Sequence, residues 1–321
     1  MRAGWKRVGW YFALTLLLLL LVPLIHGISG GGALDFDAAA ARASAETGLA
    51  WTSNLWTVVR LCLAEPTLWL LVLGSAVPSL AALIVCGWSG PAQIRRLLTR
   101  FRPVGNGTPW RDALPSYAVL TAVLPVCLLA VYALRSLLPG PEYSQPAGIF
   151  GPALAVSLLT AAFLDQGAVL EELGWRGYAL PELQAGLLSP LGAAVLVGVG
   201  WGLWHVPRDV VAGVIDRLGM VQYLLLFLPT FVSGTVTMSI IAAYFVNRSG
   251  GSIIPAIMVH GLGNDAVGLS GVAAMDVALS PYHQATKLLP FAVLAACIVA
   301  LSGRRLGLAR VMPARPLRQA G

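Results

Sequence analysis

The sequence predicts an all-α fold, a polytopic transmembrane helical bundle of about eight spans, forming a single membrane domain over residues 1–321. Three observations lead there. Hydrophobic residues make up 57% of the chain and charged residues 11%, with a mean hydropathy of +0.78, whereas soluble domains carry about a quarter charged residues. Apolar stretches long enough to cross a bilayer, about 20 residues, recur along nearly the whole chain, and no polar block between them is large enough to fold separately. Arginines and lysines collect in the short segments between those stretches, so the net charge of +7 reflects membrane topology rather than nucleic-acid binding.

The apolar stretches lie near residues 9–26, 66–88, 116–138, 149–183, 189–212, 221–246, 252–272 and 288–303. The first follows a basic start (Arg2, Lys6, Arg7) and is read as a retained span rather than a cleaved leader, because it is one member of a regular series. The segment from Gly27 to Leu55 is poor in lysine and arginine and reads as an external loop. With the N-terminus in the cytoplasm, Arg95, Arg96, Arg100, Arg102, Arg111, Arg248 and the C-terminal arginines fall on the same side, against fewer on the other (Arg42, Arg60, Arg135, Arg208, Arg217, Lys287). That bias places both termini in the cytoplasm. The loop from Gly90 to Asp112 interleaves arginines with Ile94, Leu97, Leu98 and Phe101, a short amphipathic pattern suited to an anionic leaflet or to an ordinary internal loop. Pro139 to Gly148 reads as a proline-rich turn and Asn247 to Ser252 as a tight polar turn. Cys62, Cys86, Cys127 and Cys297 stand alone in apolar surroundings without zinc or redox spacing, and read as fillers.

Ionisable groups inside spans are costly and uncommon, so each is a functional candidate. Here they concentrate on the helices expected to be catalytic, at about residues 149–272: Asp165, Glu171, Glu172 and Arg176 in the fourth stretch, His205 in the fifth, and His260 with Asn264 in the seventh. Glu172 and Arg176 are i,i+4 neighbours and can pair, while Glu171 is turned about 100° away and is the better catalytic carboxylate. Asp165, seven residues before Glu172, is expected on nearly the same face and in the same ion network. His260 and Asn264 share one helical face. Arg176 beside the acidic pair would keep one carboxylate ionised as a base. With His205 it could deprotonate a water, while His260 and the Asn264 amide hold the developing oxyanion. Hydropathy alone sets Glu171 and His205 near opposite ends of their spans. Extending both helices through protein-facing turns, to about Leu183 and about Ile215, brings them to mid-depth.

Blander readings stand beside these. Paired charges on helices are commonly solvated faces, and an intramembrane histidine often serves only as a hydrogen-bonding residue. Trp175, Trp201 and Trp204 read as interface anchors or packing rather than as binding groups. Ser233, Thr235, Thr237 and Ser239 are expected to bond their own helix carbonyls. No metal or cofactor is expected; a zinc-dependent variant is the alternative, disfavoured because HExxH spacing is absent and Asn264 is a poor zinc ligand. A non-enzymatic immunity or scaffold protein and a proton-relay transporter are the other classes that the same polar cluster admits.

The clustered residues also form recognisable motifs. EExxxR stands as Glu171, Glu172 and Arg176 within EELGWRGYALPEL; an aromatic residue four before histidine stands as Trp201 and His205; histidine four before asparagine stands as His260 and Asn264, after GGSIIPAIMVH. Over about Asp165 to Asp265 the chain resembles the CAAX prenyl protease and bacteriocin-processing family of intramembrane glutamic endopeptidases. The resemblance implies peptide hydrolysis without a covalent intermediate, with Glu171 and His205 activating water, His260 and Asn264 forming the oxyanion site, and Glu172 and Arg176 in support. Trp201 replaces the family's usual phenylalanine, and Asp165 has no place in its pattern. The expected partners are a membrane-associated protein or peptide substrate and the lipid bilayer. The arginine-rich, lysine-poor composition suggests a bacterial plasma membrane, where prenylated substrates are not expected.

Overall fold

A computed structural model of the chain describes residues 2–28, 35–105, 107–138, 152–211, 213–265 and 280–308. In chain order the helices are α1 (Arg2–Ile28), α2 (Phe36–Thr47), α3 (Leu55–Ala64), α4 (Trp69–Gly87), α5 (Pro91–Leu98), α6 (Trp110–Leu137) and α7 (Pro152–Leu164). They continue with α8 (Gln166–Glu172), α9 (Leu180–Gln184), α10 (Pro190–Trp204), α11 (Val206–Val211), α12 (Val214–Leu218), α13 (Met220–Gln222), α14 (Leu228–Arg248), α15 (Ile254–Asp265) and α16 (Pro281–Ser302). Among the described residues there is no strand, and a single isolated bridge joins Asn54 to Asp165.

Six helical stretches are long and apolar enough to cross a membrane: Gly4–Leu24, Pro66–Gly87, Trp110–Leu137, Pro190–Val211, Met220–Arg248 and Tyr282–Arg305. These match the first, second, third, fifth, sixth and eighth stretches read from hydropathy. Their boundaries follow from local chemistry. Ser189 caps α10 by accepting from the Gly192 amide at 3.2 Å, and Ser280 caps α16 by accepting from that of His283 at 3.1 Å. Each is followed by a proline at the first helical position, where a missing N–H costs nothing.

The fourth stretch departs from a single span over 149–183. It is α7, a break at Asp165 with extended backbone (φ −61°, ψ 124°), α8, a π-helical stretch at Leu173–Ala179, and α9. The reason is an internal cap: the Asp165 carboxylate accepts from the Ala168 amide at 2.7 Å, which starts a new helix inside an apolar run. The segment between the first two spans is likewise not a loop. It forms α2 and α3, which bury Ala39, Ala43, Val58, Leu61 and Cys62 against Leu68. The proline-rich turn expected at Pro139 to Gly148 lies outside the described residues. The Asn247 to Ser252 turn is present, with Gly250 and Gly251 at φ 72° and 88°. The arginine-rich loop contains the short helix α5, and Arg100 beyond it donates to the Gly251 carbonyl at 3.1 Å, tying the two connections together.

In the bundle, α14 packs on α10, α15 and α16, α4 on α1 and α8, and α15 on α7 and α8. Small residues permit these crossings. A Cβ on Gly198 of α10 would stand 2.5 Å from the Val236 Cα of α14, and one on Gly261 of α15 would collide with the Ala161 carbonyl of α7. Hydroxyls add polar ties across the same faces: Ser239 donates to the Ala194 carbonyl at 2.7 Å and Thr235 to that of Gly198 at 2.9 Å. Ser233 bonds its own helix as expected, at Pro229. Thr235 does so only in part, at Val232, and Ser239 instead bridges to α10, because a close glycine-lined crossing offers a neighbouring carbonyl. Cys62, Cys86 and Cys127 are buried and Cys297 is exposed, all as free thiols.

Candidate active site

Three segments bring the polar residues together. α8 carries Glu171 and Glu172, and its start is held twice: by the Asp165 cap and by the Gln166 amide donating to the Ser53 carbonyl at 2.7 Å. Beyond Glu172 the helix widens into the π-helical turns, and residues 171–180 are all buried. π-Helical insertions recur at functional sites because they displace side chains from the regular helical register. His205 ends α10 as its C-terminal cap residue. His260 and Asn264 lie on α15, which packs on α7 and α8.

Glu172 is the structural carboxylate. Its Oε1 accepts from Arg176 Nη1 at 2.6 Å and pairs with His260 Nδ1 at 2.8 Å, with the three side chains 0%, 1% and 4% exposed. The i,i+4 pairing read from the sequence is therefore present, and the tie to His260 extends it across helices. Glu171 points elsewhere: its Oε2 accepts from the indole N–H of Trp201 at 2.8 Å and that of Trp175 at 3.3 Å. His205 Nδ1 lies 2.8 Å from the Trp201 carbonyl. A carbonyl only accepts, so Nδ1 carries the hydrogen and, in the neutral ring, Nε2 is left as an acceptor. By the same logic, His260 Nδ1 donates to the Glu172 carboxylate.

Asp165 does not join the Glu172 network. Its Oδ1 accepts from Asn264 Nδ2 at 3.1 Å while also capping α8. The seven-residue spacing fails as a guide because Asp165 precedes the helix that bears Glu172. Trp175 and Trp201 are not interface anchors either; they are 0% and 3% exposed. Trp201 touches the whole group: beyond Glu171 and His205, its ring lies 4.5 Å from the Arg176 guanidinium and 4.6 Å from the His260 ring. A buried indole N–H requires an acceptor, and Trp175 sits one turn after Glu171, so this partnership was available to a reader of the sequence.

A cavity of about 240 Å³ opens on these groups, lined by Glu171, His205, His260 and Asn264 together with Asp165, Gly167 and Trp201, and by Met238 and Phe291 from α14 and α16. Among the described residues no group of three or more His, Cys, Asp or Glu side chains is arranged to hold a metal ion. With a carboxylate, two imidazoles and an amide in its lining, the cavity can bind a water and a polarised carbonyl.

Residues 150–265 match the family model of type II CAAX prenyl endopeptidases, Rce1-like. This segment is similar to that family. It runs from the start of α7 to the end of α15 and contains Glu171, Glu172, Arg176, His205, His260 and Asn264. The chain is also 37% identical over 115 residues to CAAX prenyl protease 2 of Methanococcus maripaludis, an alignment covering 36% of this chain and 39% of that relative. The match thus spans about two fifths of the relative's length. With six helices apolar and long enough to cross a membrane, two of them within the matched segment, the protein is an integral membrane protein.

Proposed function

We propose that the chain is an intramembrane endopeptidase that hydrolyses a peptide bond in a membrane-associated protein or peptide by direct attack of water. Glu171 takes a proton from the water, whose other hydrogen is held by His205 Nε2, and the hydroxide adds to the scissile carbonyl carbon. The carbonyl electrons move to oxygen, where His260 Nε2–H and the Asn264 amide donate to the oxyanion. Collapse breaks the C–N bond, and Glu171 returns its proton to the leaving amine. No covalent enzyme intermediate forms. His260 already donates from Nδ1 to Glu172, so donation from Nε2 as well requires the imidazolium. The Glu172–Arg176 pair holds that ring in place.

The observation that carries this reading is the single cavity lined by Glu171, His205, His260 and Asn264. The relative's name specifies a prenyl-protein substrate; for this chain the substrate class is a membrane-associated peptide, in a bacterial plasma membrane with both termini in the cytoplasm. Comparative peptidomics of membranes carrying the wild type or Glu171→Ala tests activity and target together. Peptides whose new termini appear only with the wild type are expected. Identical peptidomes at equal expression would contradict the proposal.

A further inference from the structure

Within the cavity, one position is defined by the side chain it lacks. Gly167 follows the Asp165 cap on the first turn of α8 and lines the cavity beside Glu171. An ideal Cβ built there would stand 3.4 Å from Asp165 Oδ1, 3.4 Å from Glu171 Oε1 and 3.5 Å from Asn264 Nδ2. The space off the Gly167 Cα is therefore ringed by three polar atoms from two segments, α8 with its cap and α15. Glu171 Oε1 is the oxygen turned to it, because the indoles of Trp175 and Trp201 occupy Oε2.

We propose that this Gly167 face is the seat of the attacking water in the resting site, where the Asn264 N–H not bound to Asp165 holds it until a substrate oxyanion takes that donor, and that Asp165 is the positioning residue that builds it; the inference rests on the hydrolytic reading above, in which His205 lines the same cavity. A carboxylate accepts and does not donate, so the contact of Asp165 Oδ1 with Asn264 at 3.1 Å forces the amide nitrogen, and not its oxygen, toward the seat. The same oxygen caps α8 and so fixes the depth of Glu171. The remaining Asp165 oxygen is buried and has no hydrogen-bond partner among the described residues, which leaves it acceptor capacity to spare. Asp165 thus acquires a role that the motif comparison does not supply.

The seat can be filled without disturbing the fold. Distances of 3.4–3.5 Å are ordinary van der Waals contacts, and alanine is a better helix former than glycine, so Gly167→Ala is expected to fold with an unchanged or higher melting temperature. Its methyl would occupy the water's place. Crystals of the full chain in wild-type and Gly167→Ala form should show an ordered water within hydrogen-bond reach of Glu171 Oε1 and Asn264 Nδ2 in the first and none there in the second. Water ordered elsewhere in the cavity, or retained in Gly167→Ala, would overturn the seat. On a peptide found by the peptidomic comparison, Gly167→Ala should lower kcat by about 100-fold or more with KM little changed, and Asp165→Asn, which keeps an oxygen for the helix cap, should lower kcat rather than raise KM. Full activity of Gly167→Ala beside an inactive Glu171→Gln rejects the seat alone. An active Glu171→Gln rejects the hydrolytic reading beneath it.

Discussion

Along α16, large apolar side chains such as Leu289, Val293 and Leu301 face outward at 54%, 60% and 90% exposure, whereas residues 171–180, with Glu171, Glu172 and Arg176 among them, are all buried. The long helices place their apolar residues where lipid would lie, and any of several side chains serves there. The broken segments do the reverse. α8 begins at the internal cap of Asp165 and runs on through the π-helical turns into α9, and together with the described part of α15 it sits inside the bundle, where irregular backbone is tolerated because protein surrounds it. The difference teaches that in this protein most of the membrane-crossing helices are a container, and the buried charges are carried by the broken segments, with His205 added from within one span, Pro190–Val211.

That contrast is sharpest in stability. Arg176→Met leaves Glu172 buried without its guanidinium partner and is expected to cost about 3–5 kcal/mol, read as a large loss of thermal stability in detergent. Leu301→Ala on the outer face is expected to cost nothing measurable. Equal losses would erase the distinction between container and content. Asn264→Ala removes a proposed oxyanion donor and should lower kcat by about 100- to 1000-fold with the fold intact, as followed by cleavage kinetics and circular dichroism. Trp201→Phe keeps the ring against Arg176 and His260 but deletes the N–H that Glu171 Oε2 accepts at 2.8 Å. A hydrogen bond to a charged group is worth about 1.5–3 kcal/mol, so a fall in kcat of at least about 10-fold is expected, and an unchanged rate would show the indole to be mere packing. A small effect belongs to the container: Ser239→Ala, which breaks the tie from α14 to α10, should cost about 0.6 kcal/mol by melting curve and leave kcat unchanged.

Six helices were readable because an apolar stretch of bilayer length has few other uses, and hydropathy averages over it. The fourth stretch was not, since the same averaging cannot see Asp165 capping a new helix in the middle of an apolar run, although an aspartate followed by Gln166 and Gly167 is a helix-start signal in any other setting; the seventh is described only as far as Asp265. Of the site, Glu172 with Arg176 followed from i,i+4 spacing alone. The pairing of His260 with Glu172 and of Asn264 with Asp165 joins residues 88 and 99 positions apart, which helical geometry within one segment cannot supply. The π-helical turns shift the register after Glu172, and composition carries no mark of them. For Trp175 and Trp201, read as interface anchors or packing, burial favours packing, and the hydrogen bonds to Glu171 escaped notice because a buried N–H needs an acceptor that hydropathy does not reveal.

The most direct test of a wet pocket shared by Glu171, His205, His260 and Asn264 is cleavage by purified protein in heavy-oxygen water, wild type beside Glu171→Gln, with melting curves of both. Incorporation of one heavy oxygen into the new carboxylate by the wild type, a fall in rate of about 1000-fold or more in Glu171→Gln and matching melting temperatures are the expected results. Cleavage by Glu171→Gln at a rate near that of the wild type, or a trapped covalent enzyme–peptide adduct, would contradict it.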